Sequence, residues 1–234
     1  MSTFIDKNYR YELKYEINFN YAQVLKYRLS LLMERDKNSK SRDNSYYIRS
    51  LYFDDVYDTA YYEKIDGLEK RKKYRIRFYN FDLSYIVLEL KGKEGNLTYK
   101  EQNKITKDEY IYLINKEYDK INIDDRKVLE EFILESKLKN LVPSVIVDYT
   151  RIAYTYPIGD VRITFDFNIS SGKFNYDLFD TNILMYDVLE KDTMILEVKY
   201  NDFMPKVIKD IIKMVPMTRI SMSKFAMCKE KKGV

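Results

Sequence analysis

The chain has 234 residues, of which 45% are hydrophobic and 33% charged, and its formal net charge is +4. This composition is typical of a globular protein, and the length suffices for a single domain over residues 1–234 with its own core. The chain has no histidine and one cysteine, which excludes histidine acid–base catalysis, a phosphohistidine intermediate, a cysteine-rich zinc site and an intrachain disulfide.

Alternation of apolar and charged residues predicts strands along most of the chain. The first covers residues 10–17, with Glu12 and Lys14 on one face and apolar or aromatic residues on the other. Further strands are predicted at residues 46–53, 71–79, 85–91, 98–102, 144–154, 161–167 and 193–200. A turn at residues 92–96 joins two of them into a hairpin.

Helices are predicted between these strands. The first follows Asn20, and its apolar stripe is formed by Val24, Leu25, Leu29 and Leu32. A capping box of Thr106 and Glu109 opens another, which runs to about residue 116. The remaining helices are predicted before residue 66, at 124–139, after 205 and at 221–231. We therefore expect an α+β fold, and a closed antiparallel β-barrel with several helices packed outside is one arrangement that fits this pattern.

The charged strand faces allow two interpretations. On the first, they are the solvent side of a sheet, with neighbours such as Glu89 and Lys91 forming ion pairs. On the second, they point inward and form a basic lumen, which requires an anionic ligand because water and packing could not neutralise it. The Glu-x-Lys pattern recurs on several strands, and Arg75 and Arg77 share one face, where like charges repel unless an anion lies between them. These features favour the second interpretation.

A set of short motifs spans nearly the whole chain. The motifs are Arg10-Tyr11-Glu12-Leu13-Lys14-Tyr15, Ser50-Leu51-Tyr52-Phe53-Asp54, Tyr74-Arg75-Ile76-Arg77-Phe78-Tyr79, Leu88-Glu89-Leu90-Lys91, Lys100-Glu101, Tyr149-Thr150-Arg151, Val161-Arg162-Ile163, Leu196-Glu197-Val198-Lys199 and Ser223-Lys224-Phe225. In this order they resemble the VTC domain family of polyphosphate polymerases, which belongs to the triphosphate tunnel metalloenzymes. The resemblance implies one VTC-type triphosphate tunnel domain, an antiparallel barrel that encloses phosphate chains.

The resemblance also implies an activity and a site. The activity is that of an ATP-dependent polyphosphate polymerase, a phosphotransferase that moves the γ-phosphate of ATP onto a growing polyphosphate chain with Mn²⁺ or Mg²⁺. The implied catalytic residues are Lys14, Arg75, Arg77, Lys91 and Lys100. The implied substrate-binding residues are Arg151, Arg162, Lys224, Lys199 and Arg219. The implied metal ligands are Glu197 and Glu12, and Glu89 and Glu101 are further residues expected in the lining.

One departure from the superfamily bears on the reaction. Related triphosphatases carry Glu-x-Glu-x-Lys on the first strand, and here Arg10 takes the place of the first Glu. The loss of a carboxylate favours the polymerase over a two-metal hydrolase. Two alternatives stay open: a tunnel-type hydrolase of inorganic or nucleoside triphosphates, and a non-catalytic module that binds polyanions.

The expected partners follow from the same analysis. They are ATP and inorganic polyphosphate. The tyrosines alternate with charge inside strands, as in packed sheets, so no nucleic acid is expected. No apolar run reaches the roughly 20 residues that cross a bilayer, and residues 1–6 carry no signal segment. We therefore expect a cytoplasmic protein that reaches a membrane only through a membrane-protein partner.

Overall fold

The computed structural model describes residues 7–36, 44–172 and 175–230. The predictions for residues 1–6 and for Lys231 lie outside these ranges. The strands are β1 Arg10–Asn18, β2 Glu34–Arg35, β3 Ser45–Asp54, β4 Lys70–Tyr79, β5 Asp82–Glu94, β6 Leu97–Ile105, β7 Val142–Tyr156, β8 Val161–Gly172, β9 Tyr186–Asp187, β10 Thr193–Tyr200 and β11 Thr218–Arg219. The α-helices are α1 Phe19–Ser30, α2 Thr59–Ile65, α3 Lys107–Asn115, α4 Lys127–Lys139, α5 Lys206–Ile212 and α6 Lys224–Glu230.

Eight strands close into a ring in the order β7, β3, β4, β5, β6, β1, β10 and β8, because β8 pairs back onto β7. Every pairing in the ring is antiparallel. The two-residue strands β2, β9 and β11 pair with β7, β8 and β1. The predicted α+β fold with a closed antiparallel barrel is therefore confirmed.

Helices pack on the outside of the ring, against the apolar faces of its strands. Phe132 of α4 packs in one cluster with Ile76 of β4, and Leu29 of α1 packs in another with Phe165 of β8. In both strands the residues next to these apolar positions are charged or polar and point to the opposite face. Among the described residues, no helix is both long and apolar enough to pass through a membrane.

The helix α6 occupies a different place. Its Phe225 and Cys228 are fully buried and pack with Ile48 of β3 and Val147 of β7, which point into the ring. The ring of Phe225 stacks on Tyr52 with 5.1 Å between the centroids. Apolar side chains therefore fill the part of the ring's interior that lies next to α6.

Several predicted boundaries are corrected by the structure. Helix α1 begins at Phe19 rather than after Asn20, because the Asn18 side chain caps it by accepting a hydrogen bond from the backbone of Asn20. Helices α4 and α6 begin three residues later than predicted. Gly92, predicted in a turn, lies inside β5, and the turn is at residues 95–96.

Candidate functional site

The interior of the ring holds a cavity of about 810 Å³ that is rich in positive charge. Alternate residues of a strand face opposite sides, and β1, β4, β5, β6, β8 and β10 turn charged residues of one face into this cavity. The basic lining residues are Arg10, Lys14, Lys73, Arg75, Arg77, Lys91, Lys100, Arg151, Arg162, Lys199 and Lys224. The carboxylates in the lining are Glu12, Asp82 and Glu197. The second interpretation of the charged faces is thus the one that the structure shows.

Glu12 of β1 is shared by lysines from three strands. Its carboxylate lies 2.7 Å from the Nζ of Lys91, 3.0 Å from that of Lys14 and 3.8 Å from that of Lys199. Burial and the neighbouring charge of Glu197 act to raise its pKa. The lysines outweigh both and lower the pKa of Glu12 to about 2. Glu12 is therefore ionised at neutral pH and holds the lysines in place.

Glu89 of β5 plays the same part for a second group of cations. Its carboxylate lies 2.6 Å from Arg75 and 3.2 Å from Lys100, and the guanidinium of Arg77 is 3.7 Å away. Burial acts to raise the pKa of Glu89, but Arg75 and Arg77 hold it well below its usual range. The guanidinium of Arg75 also donates to the hydroxyl of Tyr52 at 2.7 Å. Glu89 and Lys91 do not form an ion pair with each other, so the pair expected if the charged faces were the solvent side of a sheet is not present.

A third cluster joins β7, β8, β10 and the start of α6. Asp166 is fully buried and accepts two hydrogen bonds from Arg151, at 2.6 and 2.7 Å. It also lies 2.5 Å from the Nζ of Lys224. Glu197 is 3.3 Å from Arg151 and 3.3 Å from Lys199. The bidentate Arg151–Asp166 pair fixes the guanidinium plane more strictly than a single hydrogen bond would.

Hydroxyl groups help to anchor two further arginines of the lining, Arg77 and Arg162. Arg77 donates to Tyr149 Oη at 3.0 Å and to a buried serine of β3. Arg162 donates to Tyr46 Oη at 3.0 Å and pairs with Asp36 at 2.6 Å. The Nε of Arg162 is buried and has no hydrogen-bond partner among the described residues. This N–H is a donor that a bound anion could satisfy.

The structure brings together all but one of the predicted site residues. Lys14, Arg75, Arg77, Lys91, Lys100, Arg151, Arg162, Lys199, Lys224, Glu12 and Glu197 line the cavity. Arg219 does not line it: the residue is exposed on β11, which pairs with the edge of β1. Glu89 and Glu101 are also absent from the lining. Glu89 is buried and contacts Arg75 and Lys100, and Glu101 lies on the opposite face of β6 from Lys100.

Some residues that build the site were not among those predicted from the sequence. Lys73 lines the cavity, and Asp166 anchors two of its cations. Lys73 lies two residues before Arg75 on the same alternating face, so the periodicity of β4 could have identified it. Asp166 shares an alternating face with Arg162, so periodicity places it too, but its contact with Arg151 depends on the pairing of β8 with β7.

The carboxylates decide what kind of metal ion the cavity could hold. Among the described residues, no cluster of three or more acidic or cysteine side chains suits a metal. Glu12 and Glu197 both contact Lys199, and both are held ionised by nearby lysines. Two carboxylates fit Mg²⁺ or Mn²⁺ that completes its shell with phosphate oxygens and water, as Mg²⁺ commonly does. They do not fit a cage made of protein ligands alone.

Comparison with known proteins agrees with this geometry. The VTC domain profile matches residues 9–231. Among solved structures, HpAC1 from Hippeastrum, described as having a dominant triphosphatase activity, is similar, with 16% identity, a TM-score of 0.53 and 97% coverage of each chain. A protein from Pyrococcus horikoshii OT3 is 14% identical with a TM-score of 0.48, over 95% of this chain and 99% of its own. No curated protein matches the sequence. The likeness to the Hippeastrum protein shows a shared tunnel fold.

Proposed function

This chain belongs to the VTC domain family, and we propose that it is an ATP-dependent polyphosphate polymerase that acts inside the ring. The observation that carries this proposal is the lining of the cavity, where basic side chains far outnumber carboxylates. The lining carboxylates Glu12 and Glu197 are already ion-paired, so positive charge remains to be balanced. A polyphosphate chain offers successive anionic groups along its length, which suits such a lumen.

Four arginines suit the non-bridging oxygens of successive phosphates. They are Arg75, Arg77, Arg151 and Arg162. A guanidinium presents its donors in a planar fork, which matches a phosphate better than an ammonium group does. Each fork is already oriented by a carboxylate or a hydroxyl group. Such preorganised donors cost little reorganisation when charge develops in the transition state.

The lysines Lys14, Lys91 and Lys100 would stabilise charge near the transferring phosphoryl group. The terminal oxygen of a polyphosphate chain attacks the γ-phosphorus of ATP, the bond from that phosphorus to the β–γ bridging oxygen breaks, and ADP leaves. The attacking oxygen is already ionised, so no general base is needed. This agrees with a chain that contains no histidine. A divalent metal held by Glu197 and Glu12 would supply further Lewis-acid stabilisation of the phosphoryl charge.

A second candidate is a triphosphatase, in which water replaces the chain end as acceptor. The fold likeness to a protein described as a triphosphatase favours it. Arg10 speaks against a two-metal hydrolase, because this side chain stands where related hydrolases carry a carboxylate. The guanidinium of Arg10 lines the cavity and lies 3.0 Å from Asp160. Because arginine is a cation, this position supplies no metal ligand.

Product analysis distinguishes these functions. The protein is incubated with ATP and Mn²⁺, with and without a short polyphosphate primer, and the products are separated on a gel. The polymerase yields a ladder of polyphosphate together with ADP. Free phosphate without a ladder would assign the triphosphatase, and salt-sensitive binding without turnover would assign a polyanion-binding module.

A further inference from the structure

Lys73 lies in the cavity where the charged lining meets the apolar side chains around α6. Its Nζ donates a hydrogen bond to the hydroxyl of Ser223 at 3.0 Å. The same atom lies 5.6 Å from the ring centroid of Tyr52 and 5.5 Å from that of Phe225. We call this region, lined by Tyr52, Lys73 and Ser223, the α6 end of the cavity.

Lys73 differs from the other cations of the lining in its partners. Each of the others lies within 4.0 Å of a carboxylate: Arg10, Lys14, Arg75, Arg77, Lys91, Lys100, Arg151, Arg162, Lys199 and Lys224. Within the described part of the chain, Lys73 has no carboxylate in that range, and its polar contact is the neutral hydroxyl of Ser223. No carboxylate of the described residues therefore balances a charge on Lys73 at short range.

The charged groups that face Lys73 are mostly of its own sign. They are Lys14 and Glu12 from β1, Arg75 from β4 and Lys91 from β5. Burial and then the three cations lower the pKa of Lys73 well below the ordinary value of a lysine, and Glu12 opposes them only in part. An anion bound at this point would supply the missing opposite charge.

We propose that Lys73 is a further phosphate ligand of this cavity, which binds the phosphate nearest the α6 end. The inference rests on the proposed function only in that the cavity must bind polyphosphate. It applies equally to a polymerase and to a triphosphatase.

The sign of the pH dependence follows from this proposal. A bound phosphate raises the pKa of Lys73, so binding takes up protons at a pH between the pKa of the free and of the bound protein. Affinity contributed by Lys73 is then complete below the free-state pKa and falls as the pH rises from there. Lys91 and Lys100 also have lowered pKa values, through burial first. Their contribution has to be separated from that of Lys73 by substitution.

Calorimetry with inorganic tripolyphosphate, in two buffers of different ionisation enthalpy, measures both affinity and proton uptake. The experiment compares wild type with Lys73→Met, Lys73→Arg and the control Lys209→Met, which removes an exposed lysine of α5. We expect Lys73→Met to bind about 10- to 100-fold more weakly, since a hydrogen bond to a charged group is lost. Lys73→Arg should retain affinity but take up fewer protons than wild type, because arginine is already charged. The control should match wild type in both respects.

Each outcome decides the inference. Wild-type affinity in Lys73→Met, or a loss of affinity in Lys73→Arg as large as that in Lys73→Met, would overturn the role of Lys73 as a charged ligand and leave the proposed function intact. Failure of the wild-type protein to bind tripolyphosphate would overturn both. If Lys73→Met does not fold, Lys73→Gln replaces it, because glutamine removes the charge and keeps a polar side chain.

Discussion

Single carboxylates organise the cations of the lumen. Glu12, Glu89 and Asp166 each contact at least two basic side chains. Glu12 lies in the lining, and Glu89 and Asp166 are buried outside it. A carboxylate shared in this way fixes the positions of its partners but neutralises only one of them. The lumen is thereby both ordered and positively charged before any ligand binds, which is the preorganisation that phosphoryl transfer uses.

The stability of the protein should carry a pH signature of Glu12. Its folded-state pKa of about 2 lies below the ordinary value of 4.5. Its ion pairs therefore contribute stability that is present above about pH 4.5 and is lost as the pH falls towards about 2. We expect Glu12→Gln to lower the free energy of unfolding at neutral pH, and the difference from wild type to shrink through this window. Urea denaturation at a series of pH values measures it.

A matched control for this measurement is Glu16→Gln, two residues along the same strand. Glu16 is exposed, and surface carboxylates contribute little to stability. A difference between wild type and Glu12→Gln that stays constant from neutral pH down to pH 2 would show that the ion pairs of Glu12 do not stabilise the fold.

The sequence could predict the residues of the lumen better than their partners. Alternation placed Arg75, Arg77 and Lys91 on charged faces, and the ordered motifs selected most of the lining. Which carboxylate meets which cation depends on contacts across the ring. Lys91, for example, pairs with Glu12, 79 positions away in the chain. Arg219 was selected because a basic residue suits a phosphate site. Its short strand pairs with β1, and the side chain is exposed and does not line the cavity.

At the scale of elements, buried side chains of α6 occupy one part of the interior of the ring. Phe225 has no exposed surface and stacks on Tyr52, so its removal leaves a cavity among fully buried neighbours. We expect Phe225→Ala to lower the free energy of unfolding by about 3–5 kcal/mol. The control Phe203→Ala truncates a ring that is 56% exposed and should change stability by no more than about 0.5 kcal/mol. Equal effects of the two variants in chemical denaturation would contradict the placement of α6.

Gly92 is required by a neighbouring side chain rather than by a turn. A Cβ on this residue would come within 2.0 Å of the ring of Tyr99, which lies over it from β6. We expect Gly92→Ala to destabilise the fold by about 1–3 kcal/mol, because the ring must move. Gly95→Asn in the same hairpin is the control, since its φ of +56° suits asparagine and no atom lies within 4 Å of the new Cβ. Thermal unfolding of both variants tests this, and an unchanged Gly92→Ala would contradict the packing of Tyr99.

The errors at this scale share a cause. Glycine near other turn residues predicts a turn, and the sequence does not show that Tyr99 covers Gly92. The apolar stripe of α1 was likewise predicted to include Val24 and Leu32, which are 43% and 45% exposed. The buried residues are Ala22, Leu25 and Leu29. The predicted stripe left out Ala22 because alanine is small and only weakly apolar, yet Ala22 lies on the buried face of the helix.

At the scale of the whole molecule, ring closure converts separate charged strands into one site. The decisive contact is the pairing of β7 with β8, which joins the two ends of the strand order. Strand periodicity predicted the alternation but not this closure, because the same pattern also fits an open sheet with one wet face. The resemblance to a family of tunnel proteins supplied the closure, and the structure agrees with it.

The central claim is that the lumen of the ring transfers phosphoryl groups. The most direct measurement follows the γ-phosphate of labelled ATP in the presence of Mn²⁺ and a polyphosphate primer. It compares wild type with Arg75→Ala and with Arg28→Ala, an exposed arginine of α1. We predict label in lengthening chains for wild type and Arg28→Ala, and a rate lower by about 10²–10³ for Arg75→Ala. Transfer by Arg75→Ala at the wild-type rate would contradict the claim.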